Sequence, residues 1–107
     1  MLKRKNKEIE QEVNKSLQKS AFLMQNEVKL SIAGEKAEPT SVDTGRFLNS
    51  VDISLSKDQA IVFSDVEYAK HLEYGTSRIR PRKHFRNSLA RNKAQIIELM
   101  KNDIKNI

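Results

Sequence analysis

Glu67 and His71 stand four residues apart, which places them on one face of any helix that contains them. Together with His84 they are the best grouping in the chain for ligating a metal ion. The plainer reading is that Glu67 caps a helix and His71 is a half-exposed surface residue, and it is preferred because no second helical His pair accompanies them. There is no Gly-rich phosphate loop, no Ser-centred nucleophile elbow and no pair of metal-ligand motifs. The sequence is therefore read as that of a non-enzyme, with no catalytic residues, no cofactor and no metal. Tyr68 and Tyr74 have faces on which bases could stack, but rings that bury large areas while the hydroxyl finds a partner suit a core or an interface better.

The other chemistry is charge. Arg78, Arg80, Arg82, Lys83, Arg86, Arg91 and Lys93 follow one another with no Asp or Glu between Glu73 and Glu98. Such an arm can neutralise phosphates irrespective of base sequence, in a salt-sensitive contact with DNA. Its one aromatic residue, Phe85, belongs to the apolar stripe of the helix that follows, so base stacking is not built into it. The favoured reading is docking onto acidic residues of a neighbouring protein, since Arg forks are preferred partners of interfacial carboxylates. A small basic nucleic-acid-binding module is the alternative, and a salt titration on DNA separates the two.

Several elements position these residues. Between about Lys5 and Ala33, Ile9, Val13, Leu17, Ala21, Met24, Val28 and Ile32 form one stripe of an amphipathic helix that Gly34 ends. At 1.5 Å per residue that helix is about 40 Å long, whereas a compact chain of this size has a diameter of roughly 34 Å, so it should overhang its own domain. Phe22 and Leu30 lie off the stripe and are candidates for a subunit contact. Residues 35–42, with Pro39, read as a surface loop. Asp43 or Thr44 then caps a short helix through Phe47 and Leu48, Gly45 permitting a close backbone approach.

Val51, Ile53 and Leu55 alternate with polar residues as in a half-buried strand, Lys57-Asp58-Gln59 is a turn, and Ala60 to Phe63 return as a second and more central strand. Ser64 and Glu67 have capping-box spacing, so a second short helix should start there and run to Gly75, which needs positive φ to end it. The basic arm spans 76–84. Phe85, Leu89, Ile96, Met100 and Ile104 mark a last helix over 85–107, with Asn92 and Lys93 interrupting its stripe. The expected fold is α+β, with two long helices and a short helix packed on a small antiparallel β-sheet, in one domain, 1–107.

Two of these segments carry a resemblance. Tyr68-Ala69, Glu73-Tyr74-Gly75-Thr76, Pro81 and Phe85 ahead of a helix, preceded by Thr44-Gly45 with Phe47, Leu48 and Ser50, resemble the signature of small neck proteins of long-tailed phages and prophages, known for head–tail joining or tail completion. The pieces occur in the expected order, and with their flanking helices cover most of the chain. One departure is His84, where the family commonly has a second proline before the aromatic. The resemblance implies a structural protein that forms a homo-oligomer, as a ring, and meets other phage neck or tail proteins. It also implies assembly in the host cytoplasm and residence in the virion neck. The docking surface would comprise Phe22, Leu30, Tyr68, Tyr74, Gly75, Thr76 and the arm residues Arg78, Arg80, Arg82, Lys83 and Arg86.

Composition agrees with this class of protein. The 107 residues are 37% hydrophobic and 32% charged, which fits a globular protein or an assembly subunit. No apolar run approaches the roughly 20 residues of a membrane-spanning helix, and the charged start lacks a secretion core, so no membrane role is expected. With no cysteine, stability must come from packing or from neighbouring subunits, and a net charge of +6 suits acidic partners.

Overall fold

A computed structural model of the chain describes residues 2–42 and 45–105. The first apolar stripe folds as the long helix α1 (Leu2–Ile32), close to the expected bounds. Only its second half is buried on the core side: Ala21, Met24, Val28 and Ile32 are covered, Val13 and Leu17 are half-buried and Ile9 is exposed. The expected overhang is present. The molecule measures 59 × 23 × 22 Å with a radius of gyration of 16.3 Å, against about 13 Å for a compact chain of this length.

The last helix, α4 (His84–Lys105), runs antiparallel along α1: Ser31 meets His84, the Glu27 carbonyl faces Ser88, and Lys19 pairs with Asp103. The apolar stripe expected for α4 is only partly covered: Phe85 and Ile96 pack against the core, but the fully buried positions are others. His84, Ser88 and Asn92 are its buried residues, whereas Leu89 is 52% exposed and Ile104 is exposed as well. On α1 the matching positions include Ser16, Ser20 and Ser31, all buried. Small polar side chains let two helix backbones approach closely, and that contact takes precedence over the burial of Leu89.

Between the long helices the chain forms α2 (Arg46–Ser50), β1 (Asp52–Ser56), β2 (Gln59–Phe63) and α3 (Ala69–Tyr74). The hairpin is antiparallel with Ser56 opposite Gln59 and Ile53 opposite Val62, turning at Lys57-Asp58. Ile53, Ala60 and Val62, all half-buried, share the face towards α1 as the alternation predicted, whereas Leu55 on the same face is 45% exposed. Gln25 fixes the start of β1 by donating to the Val51 carbonyl. The expectation that β2 is more central is corrected: the sheet has two strands, each keeps an open edge, and Ile61 and Phe63 on the outward face are exposed.

Phe47 is the centre of the core. It is 2% exposed, and the rings of Tyr68, His84 and Phe85 lie 6.0, 6.0 and 6.4 Å from its own. Met24, Val28, Ile32, Val51, Val66 and Ala69 complete the cluster, and Leu48 packs against it. Gly45 occupies the N-cap position of α2 with φ 83°, so the helix starts from a left-handed turn and not from a side-chain cap; Asp43 and Thr44, proposed for that cap, lie outside the described residues. Ser50 closes α2 by donating to the Phe47 carbonyl and lies 2.6 Å from the Ser64 hydroxyl.

Two further expectations change. The capping box does not form: the Ser64 hydroxyl accepts the N–H of Val66, two residues on, and α3 starts only at Ala69. Serine can bond either way, and here the local turn wins over the helix start. The 35–42 loop, read as a surface loop, is tied down and partly buried. Thr40 and the Ser41 N–H both donate to the carbonyl of Ile32, and Glu38 is 5% exposed.

Candidate docking site

The Glu73-Tyr74-Gly75-Thr76 segment is a joint, and each residue has a separate task. Glu73 is buried, and its carboxylate accepts the backbone N–H groups of Phe85 and Arg86, both at 2.9 Å. Those are donors of the first turn of α4, which have no partner within the helix. The residue at the N-cap position is Lys83, whose side chain cannot accept a hydrogen bond and whose φ is 56°. Glu73 thus caps a helix that begins eleven residues later, and its negative charge lies at the positive end of that helix.

Gly75 ends α3 with φ 81° and ψ 172°, a region open essentially to glycine alone. A Cβ there would meet Pro81 Cδ at 2.7 Å and the Ile79 carbonyl oxygen at 2.8 Å, so the arm passes directly over it. Thr76 holds the turn that follows: its N–H donates to Ile79 O and its hydroxyl accepts the N–H groups of Arg78 and Ile79. The arm is consequently a compact, internally bonded loop with Arg78, Ile79 and Arg80 exposed on it. Tyr74, 66% exposed, lies beside it with the Arg86 guanidinium 5.5 Å from its ring centroid.

Arg82 departs from the expected docking role. Its N–H donates to Leu72 O, and its guanidinium turns inward to the Thr40 carbonyl and the Ser41 hydroxyl. Lys83 is half-buried at the start of α4. The exposed charge of the arm therefore reduces to Arg78 and Arg80, with Arg86 on the neighbouring helix. Among the other residues expected to dock, Phe22 is 52% exposed, Leu30 is half-buried, and Tyr68 is half-buried between Phe47 and the guanidinium of Arg46.

Arg82 belongs instead to a buried polar chain that the sequence did not announce. Glu38 receives both guanidinium nitrogens of Arg91, at 2.7 and 2.8 Å, together with the Ser31 hydroxyl and Asn87. The Arg91 fork, outweighing the effect of burial, holds the Glu38 carboxyl at about 2, so it is ionised and accepts only. Ser31, having given its proton to Glu38, must accept from His84 Nδ1, 2.8 Å away. His84 is neutral, burial lowering its affinity for a proton below the usual imidazole value. Its Nε2 therefore accepts from Ser41, whose oxygen in turn accepts from Arg82. Every proton is directed towards Glu38, and the chain ties α1, the 35–42 loop, the arm and α4 together.

A serine on an imidazole nitrogen is half of a nucleophilic pair. Here the carboxylate does not touch the imidazole, and the Arg82 guanidinium occupies the Ser41 oxygen, so the arrangement serves as a cross-link. The metal grouping is not assembled either: Glu67 pairs with Arg46 at 3.6 Å, both His84 nitrogens are engaged, and no three His, Cys, Asp or Glu residues come together among the described residues. No described helix is long and apolar enough to cross a membrane.

Compared with family models, curated proteins and solved structures, the chain finds no match in any of the three. Function must therefore be argued from the joint, the arm and the surfaces they present. Glu73, which stands in the sequence only as a motif residue without a role, and Glu38, which has no motif at all, leave different traces. Glu73 had one available signal, an α4 start at Arg82-Lys83-His84 with no capping side chain of its own. Glu38 had none, since its partners lie 7 to 53 residues away without any period.

Proposed function

We propose that this chain is a structural subunit of the neck of a long-tailed phage or prophage, joining head to tail or completing the tail as part of a homo-oligomeric ring. The observation that carries the reading is the fixed arm. The motif residues behind the resemblance, Glu73, Gly75, Thr76, Pro81 and Phe85, are the ones that anchor it at both ends, leaving Arg78, Ile79 and Arg80 presented in a defined place. A held arm docks without first losing conformational freedom. The overhanging α1 with exposed Phe22 supports self-association, as does a long axis of 59 Å on a chain of this size. In this reading the partners are further copies of the chain and other neck or tail proteins, met in the host cytoplasm.

The test is complementation of a phage deleted for this protein with Arg78→Ala/Arg80→Ala, scoring joined particles by electron microscopy. Exposed charges contribute little to stability, so the variant should fold normally. Heads and tails should nonetheless accumulate separately, because acidic partners left buried and unpaired cost a few kcal/mol each, to order of magnitude. Normal yields of joined, infectious particles from the folded variant would remove the docking role. The nucleic-acid alternative predicts a steep loss of DNA affinity as salt rises.

A further inference from the structure

Burying its polar face against α1 leaves part of the apolar stripe of α4, with Leu89 52% exposed, facing the hairpin across a groove. Both strands pack on α1, and neither packs substantially on α4. Between the edge of β2 and α4 lies a groove of about 290 Å³ lined by Ala21, Met24, Ala60, Val62, Leu89 and Ile96 among others. Val62, Phe85 and Leu89 also line a second hollow of about 420 Å³ that extends past Phe63 to Lys70 and Arg86. The two hollows therefore adjoin, and between them they pass Ala60, Val62 and Phe63 of β2. The sheet layer covers α1 and stops short of α4, where a third strand would lie.

The walls specify what would fit. In a two-residue hairpin closed by Ser56 and Gln59, the hydrogen-bonded pairs are Ser56–Gln59, Ser54–Ile61 and Asp52–Phe63. The N–H and C=O groups of Ala60 and Val62 therefore point away from β1, into the groove that these two residues line. Ser20, 6% exposed on the α1 wall, has a hydroxyl with no hydrogen-bond partner. The groove thus offers a row of strand donors and acceptors, an unpartnered hydroxyl and an otherwise apolar floor. Its rim is net basic: Lys70 and Arg86 line the far end, where the one carboxylate, Glu73, is already committed to the N–H groups of Phe85 and Arg86; Lys93 falls at helical spacing between Leu89 and Ile96, and none of the three cations forms an ion pair among the described residues.

We infer that the groove between β2 and α4 binds an extended segment of a partner protein, with apolar residues at alternate positions and carboxylates between them, as a third strand of the sheet. Main-chain hydrogen bonds to an open edge supply affinity in such additions, and alternate side chains supply specificity. About six residues suffice to run along β2 at 3.3 Å per residue. A second copy of this chain is a poor occupant. Its alternating segments, β1 and β2, are already seated on their own α1. The inference does not rest on the arm or on ring assembly and stands or falls separately from them.

The probe is a fluorescein-labelled eight-residue peptide of alternating valine and glutamate, with an alternating valine and lysine peptide as control, titrated into the full chain and followed by anisotropy and amide NMR. The valine–glutamate peptide should bind at least tenfold tighter than the control and shift the amides of Ala60 and Val62. Ala60→Pro removes an outward N–H without breaking the β1–β2 ladder, as edge positions allow, and should weaken binding tenfold or more. Should that variant fail to fold, Arg86→Glu/Lys93→Glu keeps the test decisive by reversing the preference between the two peptides. Failure of the valine–glutamate peptide to bind, equal affinity for both peptides, unmoved Ala60 and Val62 amides, or undiminished binding by folded Ala60→Pro would each overturn the inference. So would a free chain that is dimeric with those amides already protected, which would mean that a second copy fills the groove.

Discussion

Replacing Glu73 by Ala removes the cap of a helix from outside that helix. Two N–H groups at the start of α4, now 2.9 Å from a buried carboxylate, would lose their acceptor. Loss of an ordinary side-chain cap costs about 1 kcal/mol, and bonds to a charged acceptor about 1.5–3 kcal/mol each. Water entering the space left by the side chain recovers part of that, and the interaction with the helix dipole adds about 0.5 kcal/mol. The expected loss is about 3 kcal/mol, or a fall in Tm of about 15 °C for a domain of this size. Glu73→Gln keeps one acceptor oxygen and loses the charge, so it should fall about midway. Urea denaturation at pH 7, read by far-UV circular dichroism with the m-value checked for constancy, gives the numbers. A loss below about 0.5 kcal/mol for Glu73→Ala would refute the cap and with it the account of why this glutamate sits two residues before the glycine.

Gly75→Ala should cost about 2–3 kcal/mol in the same assay, more than the roughly 1 kcal/mol of positive φ alone, because the Cβ also meets Pro81 and the Ile79 carbonyl; a loss near 1 kcal/mol would mean that the arm yields easily. Stability should decline on acidification in two stages. His84 takes up its proton less readily folded than unfolded, so its contribution is complete above about pH 6.5 and is lost as pH falls below that value. Glu38, held at about 2, contributes above about pH 4.5 and loses up to about 3 kcal/mol between there and pH 2. His84→Gln should flatten the first stage and leave the second, as a series of melts from pH 8 to pH 3 would report. Arg82→Ala should lower stability by about 1–2 kcal/mol by leaving Thr40 O and Ser41 short of a donor, while Arg78→Ala/Arg80→Ala changes it by less than about 0.5 kcal/mol; equal effects would return Arg82 to the exposed arm.

What the sequence made legible follows from which signals are periodic. The α1 stripe, the alternation of Ile53 and Leu55 and the need for positive φ at Gly75 are local, and the structure has all three. The start of α3 was not legible, because Ser64 is equally suited to a capping box and to a short turn, and the choice is made by Ser50 and Val66, which surround it in three dimensions. The buried face of α4 was legible only in Phe85 and Ile96, because Ser88 and Asn92, which are buried against α1, carry no hydrophobic signal. For the same reason Ser31 and Glu38 carried no signal, while His84 and Arg91 were legible only as a candidate metal ligand and as a cation of the basic run: a polar network has no period, and its members assemble only once the helices have packed. Arg82 counted as one more cation in a run of them, although its backbone N–H is already committed to Leu72.

The central claim is that the chain is part of the junction between a phage head and its tail. Labelling purified particles with gold-conjugated antibody against the chain, and locating the gold by electron microscopy, tests it most directly. The account predicts gold confined to the head–tail junction, at several copies per particle. Particles that carry no label while the chain is detected free in the lysate would contradict it.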